Sequence, residues 1–208
     1  MIIVGDIGNT ETKICLVNSK NKIIKRINLS TKKINLSTLK KAIFSLNIRN
    51  KLIKIKVNYK QIGSDRLANA ISVINNKDNF IILDFGTATT FDVLIKNTYH
   101  GGVIAPGVKL SLNTLTDKAT QIPNINLKKT KKIIGLNTTN AVRAGFFWGY
   151  QGLIDNIINL IKKETKMSFK IIITGGFSNL FKNSIKMKVK LDKDITIKGL
   201  IKTASLIK

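Results

Sequence analysis

Two short stretches of the sequence end an apolar run with the same pattern of carboxylate, glycine and hydroxyl. They are Asp6-Ile7-Gly8-Asn9-Thr10 and Asp84-Phe85-Gly86-Thr87. An extended strand aims such a turn, glycine lets backbone N–H groups approach an oxygen, and threonine adds a hydroxyl donor. A carboxylate at the strand end can hold a cation or its water shell beside phosphates. A lone Asp-x-Gly turn is usually an ordinary β-turn, but two in matching positions predict a phosphate-binding site.

A third turn, Thr174-Gly175-Gly176, follows the apolar run "FKIII" and could admit the adenosine portion of a nucleotide. A further candidate is "GSDR", Gly63 to Arg66, at the start of a predicted helix. There Asp65 could accept the proton of an attacking hydroxyl, and Arg66 could bind a substrate carboxylate. From the residues alone, the favoured interpretation is that Asp65 caps the first amides of the helix.

Three other residues that could carry chemistry are given structural interpretations. Asp92 is a rival carboxylate, but it alternates with Phe91 and Val93 along a predicted strand and could equally face solvent. His100 has no catalytic partner and no zinc-ligand spacing around it, which favours a structural or exposed histidine. Cys15 is the only cysteine. It therefore excludes an internal disulfide and is interpreted as a small buried apolar residue.

The composition allows one domain or two small ones, with 208 residues of which 43% are hydrophobic. A net charge of +25 raises the question of nucleic-acid binding. However, the basic clusters, such as "LKKTKK" and "IKKETK", are short and are not interleaved with aromatic residues. We therefore expect a solvated lysine surface and no specific nucleic-acid partner, although a positive field attracts anionic substrates such as nucleotides.

The sequence predicts a cytoplasmic protein without a membrane segment. The first residues have no basic stretch before the apolar run and no small-residue cleavage site, so no secretory signal is predicted. The most apolar long segment, "AGFFWGYQGLIDNIINLI", is interrupted by Gln151, Asp155, Asn156 and Asn159, which a spanning helix would have to bury. A buried helix of a soluble protein fits better, with Trp148 in the core or at a subunit contact.

Hydrophobic periodicity predicts the same order of elements twice. In the first half, "MIIVGDI", "TKICLVN" and "NKIIKRINL" predict a strand meander, followed by a helix "LSTLKKAIFSLN" that Ser37 could cap, a strand "KLIKIKV" and a helix "SDRLANAISVINN". In the second half, "FIILDFG", "TTFDVLIKN" and "YHGGVIAPG" predict strands, followed by a helix "VKLSLNTLTDKA". This repeated pattern places a domain boundary near residue 77, between lobes 1–76 and 77–208.

The remainder of the second half adds a long helix and a mixed tail. The helix is predicted over about 138–163, with Gly145, Gly149 and Gly152 on one face, where another helix could approach closely. The strand "FKIIITGG" follows, and the tail is predicted as two short strands, "MKVKL" and "DITIKG", before a final helix "LIKTASLIK".

The order of these motifs resembles one family. In sequence, "DIGNT", "GSDRLAN", "DFGTATTFDVL", "GGVIAPGVKLSLNTL", "NTTNAVRAGFFWGYQG" and "TGG" resemble the type III pantothenate kinases of the acetate and sugar kinase and actin superfamily. The resemblance implies an α/β fold of two actin-like, ribonuclease H-like domains with mixed sheets and ATP in the cleft between them. Only about fifty residues separate "DIGNT" from "GSDR", so the first lobe is expected to be shortened.

The resemblance also implies an activity, phosphorylation of pantothenate to 4'-phosphopantothenate at the entry to coenzyme A, with magnesium and ATP. It implies that Asp65 is the catalytic base and that Asp84 is the ligand of a monovalent cation, potassium or ammonium. The implied ATP-binding residues are Asp6, Ile7, Gly8, Asn9, Thr10, Glu11, Thr12, Lys13 and Thr87. The implied pantothenate contacts are Gly63, Ser64, Asp65, Arg66 and Thr138, and Tyr59 is a further candidate. The family forms homodimers, which would give the glycine-faced helix a partner.

Two alternative functions remain open from the sequence. One is a kinase of the same superfamily acting on a different small alcohol. The other is a kinase-like regulator or nucleic-acid-binding protein without catalytic activity, which only the positive charge supports. The presence of Asp6, Asp65, Asp84 and Thr87 together argues against the second alternative.

Overall fold

A three-stranded antiparallel sheet forms the start of the chain, in a computed structural model that describes residues 2–8, 11–30 and 53–204. Strands β1, β2 and β3 lie side by side in chain order. Their bounds are Ile2–Ile7, Glu11–Val17 and Ile23–Ser30. The register places Asp6 opposite Lys13 across the β1–β2 hairpin. The predicted meander is confirmed.

The second sheet has six strands in the order β4-β7-β6-β5-β8-β9. In chain order the strands are Lys54–Ile55, Asn79–Phe85, Ala88–Ile95, Thr98–Pro106, Lys170–Gly175 and Val189–Leu191. Strand β4 pairs with β7 and β8 pairs with β9, both in parallel. The strands predicted at "FIILDFG", "TTFDVLIKN", "YHGGVIAPG", "FKIIITGG" and "MKVKL" are therefore present.

Five α-helices occur in the described part of the chain. Helices α1 to α5 are Ser64–Val73, Val108–Lys118, Thr138–Thr165, Ser178–Phe181 and Ile195–Ala204. A short 3-10 helix, Tyr59–Gln61, precedes α1. Helix α3 begins where Asn137 caps it by accepting a hydrogen bond from the N–H of Asn140 at 2.9 Å. The predicted helices at α1, α2 and α3 are confirmed, whereas the helix expected around Ser37 lies outside the described residues.

The strand prediction for "DITIKG" is wrong, because this segment begins helix α5. Its alternating isoleucines suggested a strand, yet Ile195 and Ile197 are both buried on the helix. Gly199 explains the close packing of α5 on α1, since a Cβ at this position would collide with the backbone of Ala68. Tertiary packing has outweighed the local alternation pattern.

The chain divides into two compact units. The first comprises Met1–Phe80, Asp92–Gly101 and Lys193–Lys208, and the second comprises Ile81–Phe91 and Gly102–Asp192. The first unit thus draws on both sides of residue 77, and the boundary expected there stays a prediction.

Each unit has its own apolar core. In the first, Val4, Cys15 and Val17 pack with Ile197 and Ile201 of α5, which confirms Cys15 as a small buried core residue. The second contains an aromatic stack in which Phe181 lies 5.3 Å from Phe85 and 5.7 Å from Phe147, measured between ring centroids. Offset stacks of this kind add to the free energy gained by burial.

Candidate active site

The β1–β2 hairpin carries the first predicted phosphate-binding segment. Asp6 and Lys13 are half-buried and lie opposite each other on adjacent strands. The Lys13 ammonium nitrogen also lies 3.5 Å from the carbonyl oxygen of Lys193. Ile7, Glu11 and Thr12 belong to the strands and Gly8 follows β1, whereas Asn9 and Thr10 lie outside the described residues. The hairpin therefore presents a carboxylate and an ammonium group on facing strands beside a glycine turn.

The second predicted phosphate-binding turn joins β5 to β6. The N–H of Gly86 donates to the carbonyl oxygen of Ala88 at 3.0 Å, which closes the turn behind Asp84. Gly175 lies against this turn with φ +84°, a backbone conformation that disfavours other residues. A Cβ on Gly175 would collide with Asp84 Oδ1 and with the backbone of Phe85. The "TGG" turn thus packs directly on the carboxylate of Asp84.

Gly107 brings the "VIAPG" segment to the same place. A Cβ on Gly107 would collide with the carbonyl groups of Thr87 and Gly86. Three sequence motifs, "DFGT", "APG" and "TGG", therefore meet around Asp84 and Thr87. Glycine at positions 107 and 175 is what allows these two segments to approach the turn so closely.

The "GSDR" segment forms the start of helix α1. Gly63 is the N-cap, and no described side chain caps the helix. Asp65 is the second residue of the helix and is exposed, so it does not fill the capping role considered from the sequence. Its negative charge in the first turn is favourable to the helix dipole. Its carboxylate makes no hydrogen bond to another described residue, and this leaves it open to a substrate.

Arg66 forms a buried ion pair that the sequence interpretation missed. Its Nε donates to Asp92 Oδ1 at 2.8 Å, and its Nη2 lies 2.7 Å from the same oxygen. The hydroxyl of Tyr99 donates to this oxygen as well, at 2.5 Å. Asp92 has no solvent exposure, so the expectation that it could face solvent is wrong.

The burial of Asp92 has a physical reason in the surrounding strand. Every residue from Phe91 to Leu94 is buried, so both faces of β6 are covered. A carboxylate inside such a strand needs charged or hydrogen-bonding partners. The apolar residues on either side of Asp92 were the available signal, but the sequence does not say which residues would be those partners.

The electrostatics of this cluster reflect its burial. Burial raises the pKa of Asp92, against the opposing effects of Arg66 and the hydrogen bond from Tyr99. Burial lowers the pKa of Arg66, but the charge and hydrogen bond of Asp92 outweigh it, and the pKa is raised. Burial and the neighbouring Asp92 also raise the pKa of Tyr99. The tyrosine hydroxyl is therefore held as a hydrogen-bond donor.

The other predicted residues occupy more exposed positions. Thr138 is the exposed first residue of α3, and Tyr59 is 46% exposed on the 3-10 helix. His100 is half-buried, and burial together with Lys56 lowers its pKa. Trp148 is half-buried and lies edge-on to Phe147, with ring centroids 5.1 Å apart.

The donor set at Asp84 fits a hard cation. The carboxylate of Asp84 lies at this turn, whereas the backbone carbonyls of Gly86 and Thr87 face Gly107; carboxylate oxygens suit magnesium and similar ions. Within residues 2–8, 11–30 and 53–204, no group of three or more His, Cys, Asp or Glu side chains could hold a metal ion. Among the described residues, a cation here would therefore have Asp84 as its carboxylate ligand.

Comparison with known proteins decides the family. The family model for type III pantothenate kinases matches residues 37–160. The chain belongs to the type III pantothenate kinase family. A type III pantothenate kinase of Pelagibacter ubique is 71% identical, and the alignment covers 100% of both chains. That alignment spans 248 positions, whereas this chain has 208 residues, so at least 40 aligned positions have no residue in this chain.

Solved structures agree on the fold. A crystal structure assigned to the Baf family of transcriptional activators, from Campylobacter jejuni, has a TM-score of 0.65 at 19% identity and covers 99% of this chain and 98% of its own. A ROK family glucokinase of Streptomyces griseus, in complex with glucose and AMPPNP, has a TM-score of 0.52 at 12% identity, with 98% of each chain covered. This chain of the type III pantothenate kinase family therefore has the α/β fold of the actin-like sugar kinases, as predicted.

No helix in the described part of this family member combines the length and the apolar character needed to cross a bilayer.

Proposed function

We propose that this chain transfers the γ-phosphoryl group of ATP to the primary hydroxyl of pantothenate, giving 4'-phosphopantothenate and ADP as the first step of coenzyme A biosynthesis. The observation that carries the proposal is the "GSDR" segment of a chain in this family. It presents an exposed carboxylate, Asp65, next to a guanidinium group that is held by a buried partner. A hydroxyl acceptor with an acidic end matches those two groups.

Asp65 orients the primary hydroxyl and accepts its proton as the oxygen attacks the γ-phosphorus. The bond to the β-phosphate oxygen breaks, and ADP leaves. Phosphoryl transfer depends on positioning and charge neutralisation, to which a base of this kind adds about 10²–10⁴-fold in rate. Asp65 makes no hydrogen bond to another described residue, so no partner has to be displaced when the substrate binds. Arg66, with Gly63 and Ser64, holds the carboxylate end of pantothenate.

ATP binds through the two glycine turns. The Asp6-to-Lys13 hairpin and Thr87 contact the phosphates, with support from the Asp6–Lys13 register and the packing of Gly107 on Thr87. When bound, magnesium and a monovalent cation, potassium or ammonium, neutralise the phosphate charge. Asp84 would hold the monovalent ion.

The enzyme acts as a homodimer in the cytoplasm. Gly145, Gly149 and Gly152 are exposed on α3, and a Cβ at each would meet no described atom within 4 Å apart from the neighbouring backbone of the helix itself. Just before Thr138, Ile133, Ile134 and Leu136 are 64%, 76% and 87% exposed. Apolar and small residues of this kind support a subunit contact near Thr138, which then contributes to the pantothenate site.

A coupled assay of ADP release, with and without pantothenate, tests this function. We expect release to depend on pantothenate and to be negligible with glucose or glycerol. Faster turnover of another alcohol would identify that alcohol, and not pantothenate, as the substrate. ADP release that no alcohol stimulates, together with tight binding to duplex DNA at physiological salt, would favour the regulator. The same assay in potassium, ammonium and sodium salts tests the monovalent ion, because equal rates would remove it from the mechanism.

A further inference from the structure

The guanidinium group of Arg66 is held along one edge only. Its Nε donates to Asp92 Oδ1 at 2.8 Å, and its Nη2 forms an ion pair with the same oxygen at 2.7 Å. The described residues offer no acceptor to Nη1, and the Arg66 side chain keeps 14% of its exposure. One edge of the fork is therefore fixed inside the protein, and the other is available to a ligand.

Asp92 cannot itself reach a substrate. It has no solvent exposure and lies within β6, between the buried residues Phe91 and Val93. Its Oδ1 takes all three donors from Arg66 and Tyr99, whereas its Oδ2 is buried without a hydrogen-bond partner among the described residues. A desolvated carboxylate with one oxygen unsatisfied costs stability. A role in function that acts through Arg66 would explain why the group is present.

Tyr99 completes the arrangement from the neighbouring strand. Its ring is buried with 1% exposure, and its hydroxyl reaches Asp92 Oδ1 at 2.5 Å. It fixes the carboxylate from β7, while the carboxylate fixes the arginine at the first turn of α1. The three residues link the sheet to the helix that carries Asp65.

We propose that Asp92 and Tyr99 are positioning residues for substrate recognition, which set the orientation of Arg66 so that its Nη1 edge faces the carboxylate of the substrate. This inference rests on the proposed function. A flexible arginine would have to be ordered each time a substrate binds, whereas an arginine already held by a buried pair is preorganised. The effect is therefore expected in the binding of pantothenate and not in the binding of ATP or in chemistry.

Tyr99→Phe is the sharpest test, because it removes one hydroxyl and leaves the ion pair. We expect the KM for pantothenate to rise on the order of tenfold, with kcat and the KM for ATP changed less than about twofold. Tyr150→Phe is the matched control, since its hydroxyl donates to Ser111 Oγ at 2.8 Å, in the other unit. It should leave the KM for pantothenate at the parent value. Thermal melting of both variants reports any loss of stability separately.

A double-mutant cycle shows whether the effect passes through Arg66. In the Arg66→Lys background, Tyr99→Phe should raise the KM for pantothenate by less than about twofold further, because no guanidinium fork remains to be oriented. Asp92→Asn should behave as Tyr99→Phe does in both backgrounds. Equal effects of Tyr99→Phe with and without Arg66 would overturn the proposal and leave Tyr99 a structural residue.

Three further outcomes are decisive. If Tyr99→Phe and Asp92→Asn both keep the KM for pantothenate of the parent protein, the positioning role is overturned. Failure of both variants to fold overturns it as well. If the parent protein releases no ADP with pantothenate, the proposed function fails first. In that case, unchanged binding of pantothenate by these variants in calorimetry would reject the positioning role as well, and weakened binding would retain it.

Discussion

Two carboxylates belong to the electrostatic surroundings of Arg66, and their environments are opposite. Asp65 is exposed in the first turn of α1 and has no hydrogen bond to another described residue. Asp92 is fully buried on β6, and its Oδ1 accepts bonds from Arg66 and Tyr99. A buried carboxylate that already accepts hydrogen bonds can hold another side chain in place but cannot contact a substrate. The contrast therefore assigns the chemistry to Asp65 and the positioning to Asp92.

The surroundings of Asp84 differ from both, because glycine residues pack closely on this turn. Gly175 lies so close that a Cβ would collide with Asp84 Oδ1, and Gly107 approaches Thr87 in the same manner. Changes of charge should therefore disturb the surroundings of Arg66, whereas changes of volume should disturb the turn at Asp84.

The largest expected effect is that of Asp65→Asn. Asparagine keeps the size of the side chain but cannot accept the proton, so kcat should fall by about 10²–10⁴-fold. The side chain is exposed, so the melting temperature should stay within about 2 °C of the parent value. Asp117→Asn, which changes an exposed carboxylate on α2, is the control and should alter neither quantity. A variant that melts early yet keeps its turnover would make Asp65 a structural residue.

Asp92→Ala should have the largest effect on stability. It leaves Arg66 without its partner, and because Arg66 keeps some exposure we expect a loss of about 3 kcal/mol in the free energy of unfolding. Urea denaturation measures it. Asp155→Ala is the comparison, since this buried carboxylate accepts from the N–H of Lys186 at 3.0 Å and from Gln151 Nε2 at 3.4 Å, and pairs with no cation among the described residues. Its loss should be about 1–2 kcal/mol. An equal or larger loss at Asp155 would mean that the ion pair with Arg66 adds little.

Gly175→Ala should cost about 2 kcal/mol of stability, because the positive φ is strained for alanine and the new methyl group meets Asp84. Gly176→Ala is a matched control one residue away. There the nearest atom to a Cβ is Phe85 O at 4.0 Å, and we expect a change within about 0.5 kcal/mol. If the denaturation curves of the two variants coincide, the volume of a side chain at residue 175 does not determine the position of Asp84.

A smaller effect concerns pH. Because burial raises the pKa of Asp92 above its ordinary value of 3.8, the folded state binds this proton more tightly than the unfolded state. The stability that Asp92 contributes is therefore complete below pH 3.8 and is lost as the pH rises through the raised value. Relative to Asp92→Asn, the parent should lose about 1 kcal/mol per pH unit in that window. A relative gain with rising pH would mean that Arg66 has lowered the pKa of Asp92 instead.

Much of the fold could be predicted from local pattern. The alternation in "TKICLVN" and the buried run in "FIILDFG" gave strands, and the 3.6-residue period of 138–163 gave a long helix. Glycine turns after apolar strands indicated where "DFGT" and "TGG" would lie. These signals are local, and the structure bears them out for the described residues.

The parts that could not be predicted depend on contacts between distant residues. Arg66 and Asp92 are 26 positions apart, and no spacing rule joins a helix start to the middle of a strand. The helix at "DITIKG" follows from packing on α1, where Gly199 meets Ala68, 131 positions earlier in the chain. The roles of the individual site residues stay predictions, because they concern a bound substrate.

One experiment tests the division of labour between the two carboxylates most directly. Rapid-quench measurement of a single phosphoryl transfer, at saturating ATP and pantothenate, compares Asp65→Asn with Asp92→Asn in one assay. The account predicts a transfer rate at least about a hundredfold below the parent for Asp65→Asn. For Asp92→Asn it predicts a rate within about twofold of the parent, because saturation removes an effect on pantothenate binding. Equal losses in the two variants, or a larger loss for Asp92→Asn, would contradict it.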